Sequence, residues 1–312
     1  MVAIPSIPSE FLQDLHINGL KGRVLELPAP TGKEDTLPIL LIYGHHSSLE
    51  RMYSTAQAFN VYGQVTVPDL PGFGGMPSLV TIRKMPDIDN LADYLAAFIR
   101  QRYPHGQKFI LEGMSLGFVL SVRMLQRHPD LTAQVAHLVS IVGFVHHGDF
   151  LMNPRRQKLF AQTARMLAKR AAASVFSGFI LQKPIIATTY HLRARSHPKM
   201  KGYSWQERQD LINFELTLWK TNEVRTYFTT MSQMLTLDLT TQKLNLPVEH
   251  IGADNDQYFN NAHVKQHLEK IFTKVSMHKA VLPNHVPTVL EEAEDARALI
   301  PKSVVHIFNA KA

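Results

Sequence analysis

The chain has 312 residues, of which 45% are hydrophobic, enough for one large domain or a domain with an insertion. It contains no cysteine, which excludes disulfides, thiolate metal sites and cysteine nucleophiles. The net charge of +7 is unevenly placed, because the segment from Phe150 to Gln206 holds eleven Lys and Arg residues and no Asp or Glu.

The first residues, MVAIPSIPSEFLQDL, lack the basic start, the apolar run and the small-residue cleavage site of a signal peptide. No segment reaches the roughly 18 consecutive apolar residues that a membrane-spanning helix needs. From these two features we expect a cytoplasmic protein.

Short apolar runs alternate with helical patterns before residue 148. The predicted strands are 23–27, 39–43, 65–67, 108–111 and 137–142. A helix capped by Asp87 or Asp89 and a helix over 117–127 lie between them. The run at 39–43 is apolar throughout, as expected for a strand buried on both faces of a parallel sheet. The alternation predicts an α/β fold with a mostly parallel, doubly wound sheet.

The pattern changes at residue 148, where helices over 161–173 and 206–234 are predicted and strands are not. Alternation resumes with a strand at 248–251, a helix at 262–272, a strand at 276–282 and a helix from about 289. We therefore predict a core formed by 1–147 and 244–312, with 148–243 inserted as a helical cap. Such a cap would cover the carboxyl edge of the sheet, where ligands bind in these folds.

The strongest motif is Gly113-Met114-Ser115-Leu116-Gly117, a G-x-S-x-G sequence. It lies between a predicted strand and a predicted helix, the context that a nucleophile elbow requires. Glycines on both sides leave room for a strained turn, and the helix N-terminus favours developing negative charge. The motif predicts that Ser115 is a nucleophile.

Together with this motif, four further segments resemble the α/β-hydrolase superfamily, and the resemblance runs nearly end to end. They are Tyr43-Gly44-His45, the DLPGFG turn at 69–74, His128-Pro129, and Pro283-Asn284-His285 followed by Glu291-Glu292. The resemblance implies the α/β-hydrolase fold and a triad in the chain order serine, acid, histidine.

A serine hydroxyl needs a base beside it. His285 is the candidate, because it follows a strand, lies in a loop and matches the family's histidine loop. The base in turn needs an acid that orients it. The stretch after strand 248–251 offers two, and Asp256 is favoured over Asp254. The predicted triad is therefore Ser115, Asp256 and His285.

The resemblance implies an oxyanion hole made by the backbone N–H groups of Leu116 and His45. The loop that carries His45 departs from the family at two places. Tyr43 replaces the usual histidine, and the bulky His46 follows. These departures put the shape of the loop, and with it the role of His45, in question.

Three side chains are assigned to the lining of the substrate pocket: Met114, His46 and His146. The pairs His45-His46 and His146-His147 lack the i, i+4 spacing and the third ligand of a metal site. We therefore expect neither a metal nor another cofactor.

The predicted activity is hydrolysis of a carboxylic ester, with an apolar acyl group, through an acyl-enzyme. Members of this fold that open epoxides or remove halogens use Asp where Ser115 stands, so these activities are disfavoured. Hydrolysis of an amide, a thioester or a C–C bond remains an alternative because the same triad performs it. A non-catalytic ligand-binding member of the fold is a further alternative.

The basic segment also contains apolar side chains, among them Phe160, Met166 and Phe179. Such a segment can roof an acyl pocket or rest on an anionic lipid surface. The alternative is a solvated face that pairs with the acidic remainder of the chain. No nucleic-acid-binding motif accompanies the charge, so no nucleic-acid partner is expected. The chain is expected to be a monomer or a homodimer.

Overall fold

The computed structural model describes residues 6–181, 204–254, 256–280 and 293–312. Within these ranges the strands are β1 Leu12–Ile17, β2 Leu20–Leu27, β3 Ile39–Ile42, β4 Val65–Pro68, β5 Phe109–Met114, β6 Val135–Ile141, β7 Leu244–Ala253 and β8 Phe272–Ala280. They form one sheet in the order β1-β2-β4-β3-β5-β6-β7-β8. Strands β3 to β8 pair in parallel, whereas β2 runs antiparallel to both of its neighbours, β1 and β4.

Helices connect the parallel strands. Those before β7 are α1 Leu49–Asn60, α2 Ile88–Arg102, α3 Leu116–Arg127, α4 Pro154–Leu167, α5 Arg170–Val175, a π-helix Phe176–Ile180, α6 Trp205–Thr221 and α7 Val224–Met234. Those after β7 are α8 Asn261–Ile271, α9 Ala293–Arg297 and α10 Val305–Phe308. The predicted α/β fold with a mostly parallel sheet is confirmed.

The three central strands β3, β4 and β5 are buried at every position. Helices pack against the sheet, so these strands meet apolar side chains on both faces. This burial explains why the sequence at 39–43 is a continuous apolar run rather than an alternating one.

The N-terminal hairpin is a feature that the sequence patterns missed. Strands β1 and β2 are joined by Asn18-Gly19, and both residues have a positive φ, 50° and 81°. This is the pattern of a tight hairpin turn, for which Asn-Gly is the preferred sequence. The Asn-Gly pair was therefore the available signal.

The long helix predicted over 206–234 is two helices. The break lies at Asn222-Glu223, where the Glu223 carboxylate accepts hydrogen bonds from the backbone N–H groups of Arg225 and Thr226 at 3.1 and 2.7 Å. A side chain that satisfies the first N–H groups of a helix starts a new helix at that point. The predicted helix over 161–173 is likewise divided between α4 and α5.

The described chain between β6 and β7 forms helices α4 to α7 and the π-helix, here called the β6–β7 helical segment. Its start and end meet at an isolated bridge between His146 and Asp238. The division of the chain at 148 and 243 into core and cap stays a prediction. None of the described helices has the length and apolar character needed to cross a membrane.

Candidate active site

Ser115 lies on a strained turn between β5 and α3, with φ 51° and ψ −114°. A positive φ is unfavourable for a residue with a side chain, and such strain persists where the surroundings enforce it. Its backbone N–H donates to the Ile141 carbonyl at 3.0 Å, which attaches the turn to β6. The turn places Ser115 at the N-cap of α3, where the helix dipole favours negative charge.

The two glycines of the motif are required by close packing rather than by their own φ angles. A Cβ atom at Gly117 would overlap the carbonyl oxygen of Ile42, and one at Gly113 would lie 2.5 Å from the Phe118 Cα. Both of these neighbours are backbone atoms, so neither can move aside without distorting the main chain. The motif therefore lets α3 pack directly against β3 and β5.

We expect Gly117→Ala to destabilise the protein by about 3 kcal/mol, because the added methyl group meets the Ile42 carbonyl in a closely packed region. Urea unfolding followed by circular dichroism measures the change. Gly178→Ala is the matched control, since a Cβ there meets nothing within 4 Å. Equal stability of the two variants would contradict this account of the motif.

Three residues with strained backbones lie at the same edge of the sheet. Ser115 follows β5, His46 follows β3 with φ 57°, and Val142 follows β6 with φ 43°. These strands are neighbours in the sheet, so their carboxyl ends meet. Strain concentrated in non-glycine residues is typical of functional sites.

The loop after β3 lies directly against the serine. A Cβ atom at Gly44 would be 3.3 Å from the Ser115 Cβ, so this residue also needs to be small. The buried Tyr43 hydroxyl accepts a hydrogen bond from the Leu70 N–H at 2.6 Å. The tyrosine that replaces the family's usual histidine thus ties this loop to the DLPGFG turn.

His45 is anchored to α7. Its Nε2 lies 3.1 Å from both the Tyr227 carbonyl oxygen and the Thr230 Oγ1, and the carbonyl fixes Nε2 as a donor. Burial lowers the pKa of His45 to about 3, so the ring is neutral. The side chain is therefore occupied in positioning the loop, which leaves the backbone as the part that can face a substrate.

His46 is enclosed by residues of the β6–β7 helical segment. Its ring lies 4.6 Å from that of Trp219, its Nδ1 accepts from the Asn222 side-chain amide at 3.1 Å, and its Nε2 faces Glu215 at 3.4 Å. Sequence reasoning missed these partners. Glu215 and Trp219 share one face of α6 at i, i+4 spacing, and that polar and aromatic stripe was the available signal.

The two candidate acids have different surroundings. Asp254 is 47% exposed and pairs with Lys279 at 3.1 Å. Asp256 is more protected, and its Oδ1 accepts from the backbone N–H groups of Tyr258 and Phe259 at 2.8 and 3.1 Å. These two backbone donors fix the orientation of the Asp256 carboxylate within a local turn. Asp256 as the acid of the triad, with Asp254 as the alternative, stays a prediction from the sequence.

His250 is a buried imidazole beside this acid loop that the sequence patterns did not single out. It is 1% exposed, and its Nδ1 lies 2.9 Å from the Ser140 hydroxyl. Burial lowers the pKa of His250 to about 4, although the nearby Asp256 carboxylate opposes the shift.

We expect the His250 side chain to lower the free energy of unfolding as the pH falls from about 6.5 to about 4, a contribution measured as the difference between the wild type and His250→Asn. In this interval an unfolded His250 is protonated while the folded residue is not, so stability rises with pH. A difference of one bound proton between the two states changes the free energy of unfolding by up to about 1.4 kcal/mol per pH unit. Urea unfolding at several pH values measures the slope. His250→Asn, whose amide oxygen can accept from Ser140, should reduce it, and an unchanged slope would contradict the assignment.

The other predicted site residues fall into three groups. Met114 and Leu116, on either side of Ser115, are buried. His285, the predicted base, lies outside the described residues. His146 joins a histidine cluster in which its ring lies 4.1 Å from those of His147 and His267. The described ring contacts therefore put His46 and His146 in two separate clusters.

The histidine cluster rests on a buried carboxylate. Asp149 is fully buried and accepts hydrogen bonds from His267 Nδ1 at 2.5 Å and from the backbone N–H of His146 at 3.0 Å. Burial and the two neighbouring imidazoles lower the pKa of His146. Among the described residues no group of three or more His, Asp or Glu side chains has the arrangement of a metal site.

An open groove of about 1110 Å³ lies between residues 75–81, which follow the DLPGFG turn, and the β6–β7 helical segment. Arg170, Lys220 and Arg225 line it together with Trp219, whose ring also packs on His46. Trp219 therefore contacts both the groove and the loop after β3.

A known enzyme is similar in sequence to part of this chain. A poly(3-hydroxyalkanoate) depolymerase from Ectopseudomonas oleovorans is 25% identical over 181 residues, which cover 56% of this chain and 60% of that protein. The match thus spans less than two thirds of the relative's length.

Solved structures match over much longer ranges. A thermophilic esterase from Thermogutta terrifontis has a TM-score of 0.59 and 15% identity, covering 96% of this chain and 98% of the esterase. The epoxide hydrolase CorEH has a TM-score of 0.63 and 14% identity, covering 95% and 96%. Because enzymes with different reactions match equally well, these likenesses show the fold alone.

The family model described as the alpha/beta hydrolase fold matches residues 38–290, which is most of the chain. This range contains the strained serine turn, the loop after β3 and both candidate acids. The chain belongs to the α/β-hydrolase family.

Proposed function

We propose that this protein is a serine hydrolase that cleaves carboxylic esters, with Ser115 as the nucleophile. The observation that carries the proposal is the backbone of Ser115, held at φ 51° between β5 and α3 with Gly44 packed against it. A strand-to-helix turn of this kind presents the hydroxyl at the carboxyl edge of the sheet.

In the proposed reaction the base His285 takes the proton of the Ser115 hydroxyl as its oxygen attacks the ester carbonyl. The backbone N–H groups of Leu116 and His45 stabilise the oxyanion that forms. The alcohol leaves with the proton from His285. Water then gives a proton to the same base and attacks the acyl-enzyme. His285 returns this proton to the Ser115 oxygen as its bond to the acyl group breaks and the acid is released, while Asp256 holds the imidazole in place.

We further propose that the β6–β7 helical segment is a cap over this site. Helix α7 holds His45 through Tyr227, and α6 encloses His46 through Trp219. The rings of His46 and Trp219, together with Met114, would form one wall of the substrate pocket and favour an apolar acyl group. His146, in its separate cluster, keeps its proposed lining role only if the pocket extends toward α8.

The ester substrate is further supported by the similar proteins, which include a poly(3-hydroxyalkanoate) depolymerase and an esterase. The alternatives of the same fold are hydrolysis of an amide, a thioester or a C–C bond, and ligand binding without catalysis. They differ in what the protein turns over, so a substrate panel separates them.

The experiment combines a serine-directed fluorophosphonate probe with nitrophenyl esters of graded acyl length, a matched amide, a thioester and a lactone. We expect labelling at Ser115, identified by peptide mass spectrometry, and the fastest turnover with an ester. Ser121→Ala is the control, because the Ser121 hydroxyl is occupied by the Gly117 carbonyl within α3. A folded protein that neither takes the label nor turns over any substrate would support the ligand-binding alternative.

A further inference from the structure

The β6–β7 helical segment has an unusual outer surface. Ten large hydrophobic side chains among the described residues are exposed, and seven of them lie between Leu151 and Trp205. Phe160, Met166 and Phe179 are 52%, 55% and 72% exposed. Single exposed apolar residues are ordinary, but a concentration of them in one segment indicates a surface that something covers.

Cations surround these apolar side chains. The described part of the segment up to residue 181 contains Arg155, Arg156, Lys158, Arg165, Lys169 and Arg170 and no carboxylate. All six are exposed, and none of them forms an ion pair with a described residue. The interpretation as a solvated face paired with the acidic remainder of the chain therefore has no ion pair to support it within the described structure.

The orientation of α4 is set from its inner side. Gln157, buried on that side, donates to the carbonyls of His147 and Leu235 at 2.7 and 3.1 Å. The Ser232 hydroxyl on α7 donates to the Ala161 carbonyl at 2.9 Å. These bonds hold the inner face against α7, so the apolar and cationic side chains of α4 face outward together.

The charge decides which partner fits this surface. A second copy of the chain would bring six cations against six, which opposes self-association through this face. Nucleic acid would suit the cations but not the exposed Phe and Met side chains. A helix with both apolar and basic side chains on its exposed side is typical of helices that lie in the interface of an anionic bilayer.

We propose that the exposed face of α4, α5 and the π-helix, here called the docking face, binds the surface of an anionic phospholipid bilayer. Phe160, Met166 and Phe179 enter the boundary between headgroups and acyl chains, and the cations Arg155, Arg156, Lys158, Arg165 and Lys169 meet lipid phosphates. Helix α4 packs on α7, and α7 holds His45. Docking would therefore place α4 against the lipid and α7 between α4 and the proposed active site.

The test is co-sedimentation of the full-length protein with vesicles of phosphatidylcholine alone and with vesicles that also contain phosphatidylglycerol. We expect binding only to the anionic vesicles, and weaker binding as salt is added. The triple variant Arg155→Gln, Arg156→Gln, Lys158→Gln should bind about 100-fold more weakly, from the contribution of each cation near an anionic surface. Phe160→Ser with Phe179→Ser should also weaken binding, without changing its salt dependence.

The matched control neutralises three exposed cations elsewhere, Lys21→Gln, Lys84→Gln and Lys108→Gln, for the same change in net charge. If this control loses as much binding as the docking-face variant, the effect is one of net charge and the proposal is wrong. Absence of binding to anionic vesicles by the wild type, or equal binding to both vesicle types, also overturns it. Thermal unfolding of each variant verifies the fold.

Vesicle binding is independent of catalysis in this design. Ser115→Ala should bind anionic vesicles as tightly as the wild type, because Ser115 is not on the docking face. Failure of the ester assay with retained, docking-face-dependent binding would reject the proposed function and keep this inference. Dimerisation abolished by the docking-face substitutions would instead assign the face to a second copy of the chain and reject it.

Discussion

Replacing Ser115 with Ala should lower kcat for ester hydrolysis by about 10³-fold or more while the protein stays folded. The hydroxyl is the atom proposed to attack the carbonyl, and no other group in the turn can take its place. Alanine keeps the side chain small, so the elbow between β5 and α3 should retain its strained conformation. The measurement is kcat with the best nitrophenyl ester from the panel, beside an unfolding curve.

Ser115→Gly serves as a second variant with a different consequence for the fold. Because φ is 51° at this position, glycine relieves backbone strain and should leave stability equal or increased while activity is still lost. Activity within tenfold of the wild type in both variants would show that Ser115 is not the nucleophile. If Ser115→Ala loses both activity and structure, the activity of the folded Ser115→Gly variant still shows whether the hydroxyl is needed.

The substitution Asp256→Asn should reduce kcat by about 10³- to 10⁴-fold, and Asp254→Asn should leave it within about tenfold. Asparagine keeps the Oδ1 atom that accepts from Tyr258 and Phe259, so the loop should hold its shape. The substitution removes the negative charge, and with it the preference for the imidazole tautomer that can accept the serine proton.

Asp254→Asn is the matched control because it is the same change two residues away. Asp254 makes an exposed ion pair with Lys279, and such pairs contribute about 0–1 kcal/mol to stability. The two variants are compared by kcat on one ester and by urea unfolding. If Asp254→Asn is the more damaging variant, the triad acid is Asp254 and the hydrogen bonds to Asp256 serve only to shape the turn.

Much of the fold follows from local pattern. The strand before Ser115, the helix after it and the glycines between them are consecutive in the chain, so their interactions leave a signature in a few adjacent residues. The apolar run at 39–43 likewise predicts a strand buried on both faces. The G-x-S-x-G motif and the segments that accompany it predicted the α/β-hydrolase family, which the match over residues 38–290 confirms.

The enclosure of the loop after β3, which lies against Ser115, depended on tertiary structure. His45 is held by Thr230 and His46 by Asn222, partners that follow them by 185 and 176 residues. Such contacts arise when α6 and α7 pack beside the loop after β3, and no spacing within either segment encodes them. The different surroundings of Asp254 and Asp256 also come from tertiary structure, because Asp254 pairs with Lys279 at the end of the neighbouring strand β8.

What the sequence determined by itself was the chemistry of the turn, since Gly-x-Ser-x-Gly between a strand and a helix is a local requirement of backbone geometry. It also determined the basic, acid-free composition of the segment after Phe150. Only the tertiary structure decided that Phe160 and Phe179 face outward with those cations, since helix amphipathicity alone does not say which face packs. The physical reason is burial. The side of α4 that carries Gln157 and Ala161 packs against α7, and the apolar and cationic side chains on its other side remain on the surface.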